Sequence, residues 1–289
     1  MKIGLVGLGL VGTALAARLQ AAGFEVCGFD TQPAACSAYA ARGGMLAESL
    51  AHMAAACRCV VLAVFDTQGV LQVVEGADGL LGEATQVTTL IDCSTGTPDT
   101  LAALAQRLKA RQINFIEAPL SGSSSQIAAG EATMLLGGEA QAIADAGSVL
   151  QALAHERIHI GGAGMGARAK LATNLVLGLN RAALAEGMVF AERLGIAPAQ
   201  FLRLVLATPA RSDAALIKGP QMVSGEFTPH SRIHQHLKDV NLMLQAAKAL
   251  GQALPLSEAH AALMRAAVAA GDGELDNAAI IQQIRRETV

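Results

Sequence analysis

A chain of 289 residues is longer than one hydrophobic core commonly supports, so two domains are the natural expectation. The composition is 52% hydrophobic and the net charge is -3, with no long basic run, one tyrosine and no tryptophan; this argues against a nucleic-acid partner, whose phosphates need concentrated positive charge. The Ala- and Leu-rich stretches are interrupted by Arg, Glu or Lys at amphipathic intervals, which argues against a membrane span, so a soluble protein with a small-molecule role is expected. The apolar opening "IGLVGLGLVGTAL" lacks a strongly basic leader and a clear cleavage site and carries glycines at strand-turn-helix spacing, so it reads as a mature element rather than a signal peptide. Short apolar runs at 2–6, 25–29, 59–64, 87–92, 114–117, 133–136 and 157–160 alternate with helical stretches, the pattern of a parallel sheet covered on both faces. The glycine-rich joint "GGAGMG" at 161–166 ends that pattern. Beyond it, periodic segments at about 167–194, 198–207, 212–218, 231–250, 256–270 and 277–287 predict helices and no convincing strand.

The first run leads into "KIGLVGLGLVG", which places Gly7, Gly9 and Gly12 in a GxGxxG between a strand and a helix. In that setting the first glycine permits the tight turn, the second admits a pyrophosphate to the backbone, and the third lets helix pack on strand. Gly7, Leu8, Gly9, Leu10, Val11 and Gly12 are therefore candidate cofactor contacts, with the phosphates at the helix N-terminus. Asp30 closes the second strand 18 residues after Gly12, where a carboxylate accepts from the adenosine ribose hydroxyls; no arginine follows it to offset a 2'-phosphate, which favours NAD over NADP. The plainer alternative is a tight turn in a flavodoxin-like domain. The fold class is thus α/β: a Rossmann-type doubly wound sheet domain at 1–162 followed by an all-α carboxyl-terminal domain at 163–289.

Two further loops fall at carboxyl ends of predicted strands, where ligands of open α/β sheets bind. "LIDCSTGTPDT" offers Ser94 and Thr95, with Thr97 before Pro98 read as a capping turn. "EAPLSGSSSQ" offers Ser121, Gly122 and Ser123, either a carboxylate-binding loop or a flexible serine-rich one. "GMGARAKLATN" opens the first long helix and sets Lys170 and Asn174 four apart on one face. A lysine in so apolar a helix either snorkels to water or faces a cavity that needs a charge. Arg181 continues that face, either toward an anionic distal group of a substrate or, more simply, into a surface ion pair with Glu186 or Glu192. Five cysteines without a CxxC pair, and His234 and His236 two apart on different helix faces, argue against a metal site and for reduced thiols in a cytoplasmic protein.

These motifs, with the later "HLKDVNL", stand in the order and spacing of the β-hydroxyacid dehydrogenases, a family that is related to 6-phosphogluconate dehydrogenase and that the chain resembles over nearly its whole length. The resemblance implies a dinucleotide domain, a helical domain closing over it, and homodimers or homotetramers formed through the helices. It implies that Lys170 is the catalytic lysine with Asn174 beside it, that Ser121 and Gly122 bind the substrate carboxylate, and that Thr95 and Lys238 contact the cofactor, Lys238 near its nicotinamide end. Three departures bear on the substrate: Ser123 stands where a second glycine is common and would add a hydroxyl to the pocket, Val64 and Phe65 replace a Leu-Pro at a cofactor contact, and His230, Ser231 and Arg232 replace a glycine and an aromatic. Arg232 is a candidate clamp for a substrate carboxylate or phosphate, while Asp239 reads as a capping or pairing residue. The expected reaction is NAD(P)-dependent interconversion of a small 3-hydroxy acid and its semialdehyde or keto acid, Lys170 exchanging the hydroxyl proton if burial or a neighbouring cation lowers its pKa. The alternatives are an imine reductase on the same fold, against which Lys170 counts, and a non-catalytic cofactor-binding interaction module.

Overall fold

The computed structural model describes residues 1–82 and 84–287, in two compact units, Met1–Lys170 and Leu171–Val289. Among the described residues the first holds nine strands, β1 (Lys2–Val6), β2 (Glu25–Phe29), β3 (Met45–Leu46), β4 (Cys59–Leu62), β5 (Thr89–Asp92), β6 (Asn114–Glu117), β7 (Leu120–Ser121), β8 (Thr133–Gly137) and β9 (Glu156–Gly161). They form one sheet in the order β3-β2-β1-β4-β5-β6-β8-β7, with β9 also on β8; β3 through β6 along that path are parallel, and β8 runs antiparallel to β6 and β7. The path reverses direction at β1, so the ends of β1 and β4 flank a topological switch point, the place where open parallel sheets bind ligands.

Alternation along the strands explains the helices on both faces. Leu5, Val61, Ile91 and Ile116 point into one apolar layer with Leu15, Leu19 and Met134. Val60, Leu62, Leu90 and Phe115 point into the other with Met53, Leu104 and Leu108. A strand buried on both faces reads as a continuous hydrophobic run, as these do. The covering helices are α1 (Leu10–Ala21), α2 (Pro33–Ala40), α3 (Leu50–Ala56), α4 (Thr67–Glu75), α5 (Pro98–Ala110), α6 (Ser124–Ala129), α7 (Ala140–Asp145) and α8 (Gly147–Leu153). Their starts are written locally: Ser49 caps α3, Asp66 caps α4 by accepting from Gly69 N at 2.8 Å, and proline opens α2 and α5. All five cysteines lie in this unit as free thiols, four of them buried and Cys36 partly so. Burial pushes the Cys57 thiol up to about 11 and Cys59 up to about 12.

Helix α9 (Met165–Arg193) starts in the first unit and runs on unbroken into the second. The second unit continues with α10 (Pro198–Ala207), α11 (Asp213–Ser224), α12 (Ile233–Ala249), α13 (Pro255–Ala269) and α14 (Ile280–Arg286) around Met188, Met222, Met243 and Met264. Helix α11 runs past its expected stop at 218, through Pro220 to Ser224, because Met222 on its last turn is fully buried. The segment expected at 277–287 opens as a 3₁₀ turn, Asn277–Ala279, before α14, since the Asp276 carboxylate accepts from Ala278 N at 3.0 Å. Asp276 is fully buried and accepts from Lys218 Nζ with both oxygens at 2.8 Å, from His230 N at 2.8 Å and from Ser231 N at 3.2 Å. Burial works against its charge, yet Lys218 and the backbone donors together hold its carboxyl below the usual range.

Candidate active site

The turn between β1 and α1 is shaped by what its glycines exclude. Gly7 has φ +95°, and a Cβ there would run into the Ala63 carbonyl beyond β4; a Cβ at Gly12 would run into the Gly7 carbonyl. Gly9, by contrast, would carry its Cβ into open space with nothing within 4 Å, and no side chain caps α1 at this position. This is a backbone cradle at a helix N-terminus that a side chain would fill, and it fits a dinucleotide pyrophosphate. Asp30 braces the cradle: its Oδ2 accepts from Leu8 N at 2.7 Å and its Oδ1 from Gln32 N at 2.8 Å. Both oxygens keep a lone pair for ribose hydroxyls.

Neighbouring strand ends are tied to each other. Val64 N donates to Ser94 Oγ at 3.1 Å, and Ser94 N to Asp92 Oδ1 at 2.9 Å, which holds Val64 and the half-buried Thr95 at the ends of β4 and β5. Phe65 is 48% exposed. Thr97 precedes α5 as expected, but its side chain makes no cap; its backbone N instead donates to Thr67 Oγ1 at 2.8 Å.

The segment after β6 builds the other half of the first unit's site. Glu117, buried at the end of β6, accepts from Gly164 N and from Ala167 N, the latter at 2.8 Å, and so anchors the first turn of α9. Burial raises the Glu117 carboxyl above its ordinary value, and the two backbone donors pull it part of the way back. Gly166 lets that turn lie on the sheet, since a Cβ there would stand 2.9 Å from the Leu135 carbonyl and 3.0 Å from Glu117 Cβ. Four residues on, Lys170 is 7% exposed and donates from Nζ to the Leu120 carbonyl at 2.7 Å. The lysine therefore does not snorkel; its amine lies beside the strand that carries Ser121. Gly122 packs so tightly that a Cβ would be 2.8 Å from Ala132 Cβ. The loop is ordered by Ser123, whose hydroxyl accepts from Gln126 N at 3.3 Å while Gln126 Oε1 accepts from Ser123 N at 2.9 Å, a capping box on α6. The hydroxyl expected to add to a substrate pocket is thus turned into its own helix.

In the second unit Asn174, 5% exposed, donates from Nδ2 to Asp239 Oδ2 at 3.1 Å, and Lys238 pairs with Asp239 Oδ1 at 3.1 Å. Asp239 is the pairing residue that was expected. Arg232 differs from the clamp suggested by its sequence: its Nε lies 3.0 Å from Glu274 Oε2, so a neighbouring carboxylate already claims it. Among the described residues Arg181 makes no surface ion pair either, since it is buried and Glu192 is taken by Arg285. Glu117 carried no role in the sequence reading. The available signal was an acidic residue ending an otherwise apolar strand, which a buried backbone donor would explain.

A doubly wound sheet with a glycine cradle at its switch point and a buried lysine beside a loop at the ends of its strands defines an NAD(P)-dependent oxidoreductase. Known families agree in order and extent: that of the NAD binding domain of 6-phosphogluconate dehydrogenase matches residues 2–161, and that of the NAD-binding region of NADP-dependent 3-hydroxyisobutyrate dehydrogenase matches 164–284. The chain belongs to the β-hydroxyacid dehydrogenase family. It is 31% identical over 282 residues to L-threonate dehydrogenase of Cupriavidus necator, covering 97% of this chain and 95% of that one. It is 28% identical to 2-(hydroxymethyl)glutarate dehydrogenase of Eubacterium barkeri, with 98% and 94% covered. Among solved structures, 3-hydroxyisobutyrate dehydrogenase from Salmonella typhimurium matches with a TM-score of 0.86 at 30% identity, covering 98% of this chain and 99% of that one. An imine reductase from a Pseudomonas species shares the fold more distantly, at a TM-score of 0.63 and 22% identity.

Proposed function

We propose that the chain interconverts a small 3-hydroxy acid and its semialdehyde or keto acid, with Lys170 as the general acid/base. The observation that carries this is the buried Lys170 amine, 2.7 Å from the Leu120 carbonyl and next to Ser121 and Gly122. A nicotinamide dinucleotide, when bound, supplies or takes up the hydride. The protein's tasks are to hold the substrate and to move a proton. Ser121 and the Gly122 backbone would receive the substrate carboxylate, with Ser123 acting through the shape it imposes on the loop. Lys170 would then give a proton to the oxygen that develops charge on reduction, or remove it on oxidation, and Asn174, one turn on, would hydrogen-bond the same oxygen. The strand-end contacts Val64, Phe65 and Thr95 and the motif lysine Lys238 are assigned to the cofactor, with Gly7 through Gly12 on the pyrophosphate.

Asp30 supports NAD as the preferred cofactor, because a carboxylate in that position repels a 2'-phosphate. The named activities of the relatives, on threonate and on 2-(hydroxymethyl)glutarate, support a hydroxylated acid as the substrate class. Val176 and Phe190 of α9, with Leu194 just after its end, are exposed apolar residues that support assembly as a homodimer or homotetramer, and the free thiols support a cytoplasmic location. No described helix is long and apolar enough to cross a membrane.

The test is a hydroxy-acid panel with NAD and NADP, run on the wild type and Lys170→Met. Turnover is expected to fall by about three orders of magnitude in the variant while NADH still binds, read by its fluorescence. Near-normal turnover in the variant would remove Lys170 from the chemistry.

A further inference from the structure

Helix α9 carries a third polar side chain on the Lys170 and Asn174 face, and it is the most deeply buried of the three. Arg181 is 3% exposed. Among the described residues, neither its Nε nor its Nη2 has a hydrogen-bond partner. Those two nitrogens form the side-on fork of a guanidinium, the edge that matches the two oxygens of a carboxylate. The same chain shows what that edge binds elsewhere. Arg107 gives Nε and Nη2 to Glu75 at 2.7 Å each, and Arg285 gives its pair to Glu192 at 3.2 and 2.5 Å.

The nearby carboxylate does not serve Arg181. Asp276 is close enough to attract it, but both of its oxygens are already occupied by Lys218 and three backbone donors. Burial lowers the Arg181 pKa to about 10, so it remains a cation at neutral pH. Lys218 and Asp276 cancel one another, which leaves Arg181 as uncompensated positive charge in the core of the second unit. Beside it stands His260, also 3% exposed and with Nε2 unpartnered. Burial, with Arg181 adding to it, lowers His260 to about 4, so the ring is neutral and brings no negative charge. Gly178 makes room for this arrangement: a Cβ there would lie 2.5 Å from His236 Nε2 and 3.0 Å from His260 Cε1.

We infer that the Arg181 fork, with the His260 ring beside it, binds a carboxylate at the far end of the substrate, so that the preferred substrates are hydroxy acids with a second acid group. This rests on the proposed hydroxy-acid reading, in which Asn174 meets the reacting oxygen. Asn174 and Arg181 are seven residues apart on one helix, about 10 Å along its axis, and helical side chains lean back toward the N-terminus, which leaves room for a spacer of roughly three carbons. Arg232, the clamp suggested by sequence, is held by Glu274, so Arg181 is the cation with capacity to spare.

The experiment compares 3-hydroxyadipate with 3-hydroxyhexanoate, which differ only in the terminal acid, on the wild type, Arg181→Met and Arg181→Lys. The wild type is expected to prefer the diacid at least tenfold in kcat/KM. Arg181→Met should bring the ratio toward one, and Arg181→Lys, which keeps charge without the fork, should lie between. A wild-type ratio near one overturns the proposal, as does a preference that survives Arg181→Met. A second arm measures binding of glutarate and pentanoate to the wild type with NADH by calorimetry, and needs neither a stable variant nor turnover. Tighter binding of glutarate supports the site, and equal binding overturns it. If no hydroxy acid is turned over but glutarate still binds more tightly, the proposed reaction has failed and the anion site stands.

Discussion

Asp30 serves two ends at once. Its carboxylate ties β2 to the glycine turn through Leu8 N at 2.7 Å, and in the proposed function it would also present the charge that selects among cofactors. Asp30→Ser should therefore show both losses together. The ratio of NADP to NAD use is expected to rise at least tenfold, and the midpoint of urea unfolding should fall by an amount equivalent to about 1–2 kcal/mol, because Leu8 N loses a charged acceptor. A cofactor switch without any loss of stability would separate the two roles. Residues such as Gly7, Gly12 and Asp30 were legible in the sequence because their spacing follows from local geometry: a turn, a helix start and the next strand in one βαβ unit. Lys170 was legible as an anomaly of polarity. Arg181 and Arg232 were not, because the choice between pairing and standing free depends on which distant carboxylate the fold brings near. Glu274 reaches Arg232, and Asp276 is spent before Arg181 can use it.

Helix α9 makes the case at the level of elements. Its opening turn is held by a carboxylate 47 residues earlier in the chain, through Glu117 to Gly164 N and Ala167 N. Glu117→Gln keeps the size but turns one acceptor into a donor facing a backbone N–H. The expected result is a fall of about tenfold in kcat with NADH affinity retained, since the glycine cradle is untouched and only the placement of Lys170 is loosened. Equal losses in kcat and in cofactor affinity would instead mean a general loss of structure. The cradle has its own test: Gly12→Ala drives a methyl into the Gly7 carbonyl, so NADH affinity should drop at least tenfold by fluorescence titration. Elements with strong periodicity or buried alternation could be read directly. The two-residue strands β3 and β7 could not, because so short a stretch carries no period and forms only where a neighbouring strand offers its edge.

For the whole molecule, His260 supplies a pH signal on the acid side. Its folded pKa of about 4 lies below the ordinary 6.5, so on acidification the unfolded chain takes up a proton that the folded chain refuses. The stability present above pH 6.5 should therefore be lost progressively as the pH falls toward 4, by on the order of 3 kcal/mol for this one group. Urea midpoints across that range are expected to decline less steeply in His260→Gln, which has no proton to gain; identical slopes in both proteins would assign the acid sensitivity to other groups. The change of pattern in the sequence falls at the glycines of 161–166, whereas the compact first unit extends to Lys170, because the start of α9 is bonded to β6.

The five cysteines have a practical consequence. Every thiol belongs to the first unit, and burial keeps Cys57 and Cys59 protonated at any pH at which an alkylating reagent is used. Their labelling rate thus clocks the opening of the sheet alone and is blind to the helices that follow. Set against a global probe of unfolding, it would tell whether the half that carries the glycine cradle comes apart on its own or only with its neighbour, in a protein carrying no introduced reporter.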